Sequence, residues 1–162
     1  MGFAEALKTV NQMKEAGVLR EYAVGGAMAL VFWTEPVATY DLDVLVKLPA
    51  QDGPIVSLAD LYQWLASRGW AAHAEHVIIA GVPVQFLPAH NLLADEAISA
   101  AAWLDYSGVP VRVVRPEYLI ALYLEPAAQT RKRRERAAAL YESPAVDRQQ
   151  VSDLMARFHL AW

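Results

Sequence analysis

Apolar residues at 3, 7, 10 and 13 recur at helical spacing, so the chain opens with an amphipathic helix over 3–16 that stops near Gly17. A short strand over 20–24 then runs into Gly25-Gly26, followed by a compact apolar helix over 27–33 and a turn at Thr34-Glu35-Pro36. Strict alternation over 40–48 predicts a strand with Tyr40, Leu42, Val44 and Val46 facing the core, closed by Pro49 and the loop Asp52-Gly53-Pro54. Ser57 and Asp60 resemble a capping box for a helix to about 67. Segments 75–79 and 82–87 flank Ala80-Gly81, which reads as a hairpin turn. A helix over 92–102 capped by Asn91, a strand over 109–114, and helices over 116–124, 130–142 and 148–158 complete the chain.

This order predicts an α+β fold: a small mixed sheet with helices packed on one side and a helical C-terminal tail. Residues 1–115 form the α/β core and 116–162 a helical segment packed on it, within one domain. A length of 162 residues suits a single domain, and 56% hydrophobic against 20% charged residues excludes a disordered chain. With no cysteine, disulfides, thiolate chemistry and Cys-based zinc sites are excluded. No hydrophobic signal core or bilayer-length apolar run is present, and a cytoplasmic protein is expected.

Charge is unevenly spread. The net charge is −4, yet seven of the fourteen basic residues lie between Arg112 and Arg136, five of them in 130–136. A cationic patch on an acidic protein suits a triphosphate or an RNA backbone; a solvated helix face is the alternative. His73 and His76, three apart in an extended segment, read as a solvated pair. The five tryptophans read as packing residues and Asp105 as a turn residue.

Asp41 and Asp43 project from the same side of the 40–48 strand. Their mutual repulsion is relieved by a divalent cation, and Mg²⁺ is commonly held by one or two carboxylates plus substrate phosphates. The alternative is a solvated face neutralised by Lys47. Gly25-Gly26 lets the backbone approach a ligand where a helix N-terminus offers free N–H groups to phosphate. Fourteen residues separate Gly26 from Asp41, bridged by one short helix, so the turn can lie beside the carboxylates. A phosphate cradle joined to a metal site is what phosphoryl transfer requires.

The stretch YAVGGAMALVFWTEPVATYDLDVLV resembles the signature of the polymerase-β nucleotidyltransferase superfamily, and the C-terminal segment YLIALYLEPAAQTRKRRERAAALYE is similar to a Lys-bearing helix of its AbiE-type toxin members. The resemblance implies Mg²⁺-dependent transfer of a nucleoside monophosphate from a nucleoside triphosphate to a hydroxyl on RNA or protein, in a toxin paired with an antitoxin. It implies phosphate and nucleotide contacts from Gly25, Gly26, Thr39 and Lys132, with Asp41 and Asp43 as metal ligands and catalytic residues. Two positions depart from it. Val37 stands where relatives carry Arg, and Gln85 stands where a third carboxylate serves as general base or metal ligand. Glu75 is the substitute base that the sequence offers. The competing function is a nucleotide- or RNA-binding module without turnover, and a weaker third is a partner-binding domain.

Overall fold

The computed structural model describes residues 2–34, 38–50 and 57–162. The turn at 35–36, Val37 and the Asp52-Gly53-Pro54 loop lie outside the described residues. Among the described residues the α-helices are α1 (Phe3–Glu15), α2 (Gly26–Trp33), α3 (Ala59–Ser67), α4 (Leu92–Ser99), α5 (Pro116–Tyr123), α6 (Arg131–Tyr141) and α7 (Arg148–Arg157). The strands are β1 (Glu21–Val24), β2 (Leu42–Lys47), β3 (Ala72–His73), β4 (His76–Ile79), β5 (Val82–Pro88), β6 (Ala102–Tyr106) and β7 (Val109–Val113). They form one mixed sheet in the order β3-β4-β5-β2-β1-β7-β6. The pairs β2–β5 and β1–β7 are parallel and the others antiparallel.

The central ladder sets the two faces. Val24 pairs with Val44, and Val44 with Phe86, so these buried side chains share a face with Tyr22, Leu42 and Val84. The Tyr22 hydroxyl on that face donates to Asn11 of α1. The opposite face carries Asp43, Leu45 and Lys47. There Lys47 reaches Asp95 and Ser99 of α4, and Arg112 donates to the Ile98 carbonyl. The mixed sheet and helical tail agree with expectation, but the helices do not all lie on one side: α1 covers one face and α4 part of the other. The alternation that buries Val44 and Val46 also leaves Leu45 and Ala23 apolar on the reverse, and that surface needs its own cover. The tail supplies more of it, α5 packing against α2, α4, α6 and α7.

Local signals account for most boundaries. Asn91 accepts from the Ala94 N–H, Thr130 from Arg133, and Asp147 from both Gln149 and Gln150, so all three act as N-caps. Asp147→Ala is therefore expected to lower stability by about 1 kcal/mol, read as a smaller urea midpoint with an unchanged slope. Ala80 and Gly81 have φ of 51° and 81°, the paired left-handed residues of a two-residue hairpin.

Three features differ from the sequence reading. β6 falls partly within the segment expected to finish a helix; the helix stops at Ser99, and Trp103, Leu104 and Asp105 pair with β7 instead. Asp105 still serves the following turn, accepting from Gly108 N. Tyr40 is 70% exposed rather than in the core, because β2 begins only at Leu42. Trp103 and Trp162 are likewise exposed, whereas Trp33 is anchored through its indole N–H to the Val114 carbonyl.

Candidate nucleotide and metal site

The site gathers where β1 turns into α2. The Gly25 N–H donates to the Asp43 carbonyl at 2.9 Å, continuing the β1–β2 ladder one step past Val24 and holding the turn against β2. Gly26 then adopts φ +57°, in the left-handed region. A Cβ at Gly26 would overlap Asp43 Oδ2, with Asp43 Cγ at 3.1 Å and Cβ at 3.2 Å. Glycine is thus required twice, by its backbone angle and by the carboxylate against it. No side chain caps α2, so its first-turn N–H groups are not met by a side chain.

Asp43 is half-buried, while Asp41 is exposed in the segment preceding β2. Thr39 Oγ1 donates to the Asp41 carbonyl at 3.1 Å and so shapes that segment. Burial raises the Asp43 carboxyl above its ordinary value, and the neighbouring Asp41 charge raises it further; His76, Arg133 and Arg136 oppose the rise. Lys47, the candidate neutraliser, is committed to Asp95 and Ser99. Among the described residues no three His, Cys, Asp or Glu side chains cluster closely enough to hold a metal. Asp41 and Asp43 are the carboxylates here that could hold a divalent cation, with its remaining positions left for phosphate oxygens.

A pocket of about 260 Å³ opens beside these groups, lined by Gly25, Gly26, Asp43, Leu45 and Leu87 on the sheet side and by Leu119, Leu122, Tyr123 and Arg133 on the tail side. That volume suits part of a mononucleotide rather than a polymer. Tyr123 is 2% exposed; the nearby Arg136 guanidinium acts on its hydroxyl, which makes no better-formed hydrogen bond among the described residues, and Arg133 Nε has no hydrogen-bond partner among them. Burial raises the Tyr123 phenol, with the Arg136 and Arg133 guanidiniums pulling it down, so at neutral pH it remains a donor. Arg133 is held by the Leu122 carbonyl at 2.9 Å and lies over the Tyr123 ring. The Tyr123 hydroxyl and Arg133 Nε are thus buried donors without acceptors on the wall of this pocket, a lining that suits an anion.

The structure thus brings Gly25, Gly26, Asp41 and Asp43 together, with Gln85 directly across from Asp43 in the parallel β2–β5 ladder. Lys132 stands elsewhere. It lines a separate groove with Leu30, Thr34, Ala38 and Arg136, and Arg133, one residue on, enters the Asp43 pocket. Glu75 is exposed in the turn between β3 and β4. Arg133 and Tyr123 carry no site signal in the sequence, and His76 reads there only as half of a solvated pair with His73. Phasing α6 by its buried Ala137 and Leu140 would have flagged Arg133, four residues before Ala137.

Such a sheet, with a glycine turn set against paired carboxylates, defines a class: the chain has the nucleotidyltransferase fold. The antibiotic-resistance factor ANT(2'')-Ia in solution superposes with a TM-score of 0.55 at 19% identity, covering 94% of this chain and 88% of that one. Its crystal structure in complex with adenylyl-2''-tobramycin gives 0.54 at 19% identity over 93% and 95% of the two chains. An antigenic nucleotidyltransferase-like protein from Paracoccidioides brasiliensis gives 0.56 at 13% identity over 94% and 85%. No family model matches the chain, and no curated protein matches it in sequence. No described helix is long and apolar enough to cross a membrane.

Proposed function

We propose that this protein transfers a nucleoside monophosphate from a nucleoside triphosphate to an acceptor hydroxyl in a Mg²⁺-dependent reaction. The observation that carries this is the Gly26 backbone in its left-handed conformation, set directly against the Asp43 carboxylate. Phosphate oxygens docked on the α2 N-terminus would lie beside the group that holds the metal. Asp43 and Asp41 would bind Mg²⁺, which when present neutralises phosphate charge and polarises the phosphoryl group. Arg133 and Tyr123 donate to phosphate oxygens from the opposite wall, and Arg136 adds positive charge that acts on both Asp43 and Tyr123.

The acceptor is the finer question. Arg131 is paired with Glu135 and Arg134 with Gln129, both on the exposed side of α6, while Arg133 and Arg136 are half-buried toward the site. An RNA acceptor would engage the exposed cations, and its affinity would fall with salt by about 0.7 log units per log unit for each phosphate neutralised. A structural neighbour is solved with an adenylylated aminoglycoside, which supports including small hydroxyl compounds among the acceptors tested. A toxin role, with an antitoxin as partner, is supported by the resemblance of the C-terminal segment. Gln85 beside Asp43 favours the second reading, a module that binds nucleotide without turnover.

The experiment is calorimetric titration of each nucleoside triphosphate with and without Mg²⁺, followed by label transfer to RNA, protein and aminoglycoside acceptors. Mg²⁺-dependent binding with transfer supports the enzyme; binding without transfer supports the module; absence of both removes the site. Within this series Arg133→Ala is expected to weaken nucleotide binding by about 10-fold or more, the loss of one charge-assisted hydrogen bond of about 1.5–3 kcal/mol. Lys132→Ala is expected to leave it within about 2-fold, since an exposed charge contributes little.

A further inference from the structure

Transfer to a hydroxyl releases a proton; Glu75 is held in the exposed turn before β4, and the groups around the pocket have no member free to take it. Asp41 and Asp43 would be taken up in holding the metal, Arg133 and Arg136 are permanently charged, and the Gln85 amide is not a base. The sheet supplies one more group. The Ala80-Gly81 turn fixes β4 on β5 with Ile79 across from Val82 and Val77 across from Val84. Carried on by one residue, that register brings His76, the first residue of β4, opposite Gln85, which is itself paired with Asp43. Cross-strand partners point to the same face, so His76, Gln85 and Asp43 form one row across three strands, on the side away from buried Val77, Val84 and Val44.

His76 is half-buried, no hydrogen bond or ion pair among the described residues occupies its ring, and it lies near enough to Asp43 to act on that carboxyl. Strands about 4.8 Å apart place β4 about 10 Å from β2, with Gln85 on the strand between them. His73, across from His76 on edge strand β3, is exposed and carries the row into solvent.

The geometry points to His76 as the general base of the transfer, in the role that Gln85 cannot fill. This rests on the reading of the site as a nucleotidyltransferase centre. An unprotonated His76 ring nitrogen takes the proton of the acceptor hydroxyl as its oxygen bonds to the α-phosphorus. The bond from that phosphorus to the bridging oxygen breaks, its electron pair leaves with pyrophosphate, and His76 returns the proton to solvent. Gln85, between base and phosphate, is placed to orient the hydroxyl through its amide.

Two measurements test this. In the first, Mg²⁺ and the α,β-methylene analogues of ATP, GTP, CTP and UTP are titrated into wild-type protein while the Gly26 amide and the His76 ring are followed by NMR. Both resonances are expected to move with at least one analogue. A moving Gly26 with an unmoved His76 overturns the assignment of His76 alone. Silence at both overturns the nucleotide site and His76 with it. In the second, pyrophosphate release from the four triphosphates is measured in the presence of the acceptor panel. His76→Gln is expected to slow release by about 10²–10⁴-fold while the Gly26 response to analogue persists. Added imidazole is expected to restore part of the rate to His76→Ala, and so is Gln85→Asp in that background. Release by His76→Gln at the wild-type rate, or none from wild type with any triphosphate, overturns the proposal. Should His76→Ala fail to fold, His76→Gln and the wild-type NMR titration still decide it.

Discussion

Replacing Asp43 with Asn is expected to abolish Mg²⁺-dependent nucleotide binding while making the ligand-free protein more stable at neutral pH. Loss of a partner to a metal ligand typically lowers metal affinity by about 10–100-fold, so loss of a direct carboxylate should do at least that much. The stability gain follows from the environment of Asp43. Its carboxyl is raised above the ordinary value of 3.8, first by burial and then by Asp41, so the folded state binds the proton more tightly than the unfolded one. A raised acid favours folding at low pH. That advantage is lost as pH climbs from the ordinary value through the raised one, and is fully gone above it. The Asn variant carries no such penalty. Its excess stability should be small at the acid end, grow across that window and stay constant to pH 7. Urea unfolding of both proteins at several pH values reads this directly, and adding Mg²⁺ with nucleotide should raise only the wild-type midpoint. A variant that is less stable at neutral pH yet binds nucleotide normally would show that Asp43 is structural.

Gly26→Ala is expected to do both kinds of harm. A left-handed backbone costs a non-glycine residue about 1–2 kcal/mol, which in a domain of this size lowers Tm by roughly 2–8 °C. The new methyl must also displace the Asp43 carboxylate, removing Mg²⁺-dependent binding as thoroughly as Asp43→Asn. Gly17→Ala separates the two effects. Gly17 has φ +77°, but a Cβ there meets nothing within 4 Å. It should show a similar loss of Tm with unaltered nucleotide affinity. If Gly26→Ala binds Mg²⁺–nucleotide like wild type, the glycine turn is not a phosphate cradle.

Sequence alone determined whatever depends on neighbours in the chain. Period 3.6 in α1, the caps at Asn91 and Asp147, Pro116 at the first position of α5 and the Ala80-Gly81 turn are all local signals, and all mark real boundaries. Alternation placed Asp43 on the reverse of the buried Val44 face, and the Gly25-Gly26 turn beside it. Alternation extended too far at its N-terminal end, however, because the pattern continues through Tyr40 after the ladder hydrogen bonds have stopped.

What only the tertiary structure decided depends on pairing between distant strands and on helix rotation. The Gln85 side chain lies beside Asp43 because β5 runs parallel to β2 in one register, and a shift of one residue would have turned it into the core. His76 could be counted back from the hairpin turn, but it acquires meaning only once β5 is known to adjoin β2. Which cation of the run at 131–136 enters the pocket is likewise invisible in composition. Each residue of a helix turns about 100°, so Arg133 enters the pocket that holds Asp43 while Lys132 beside it lines another groove. Local chemistry wrote the glycine turn and the carboxylates into the chain; long-range packing selected the arginine, the tyrosine and the histidine that surround them.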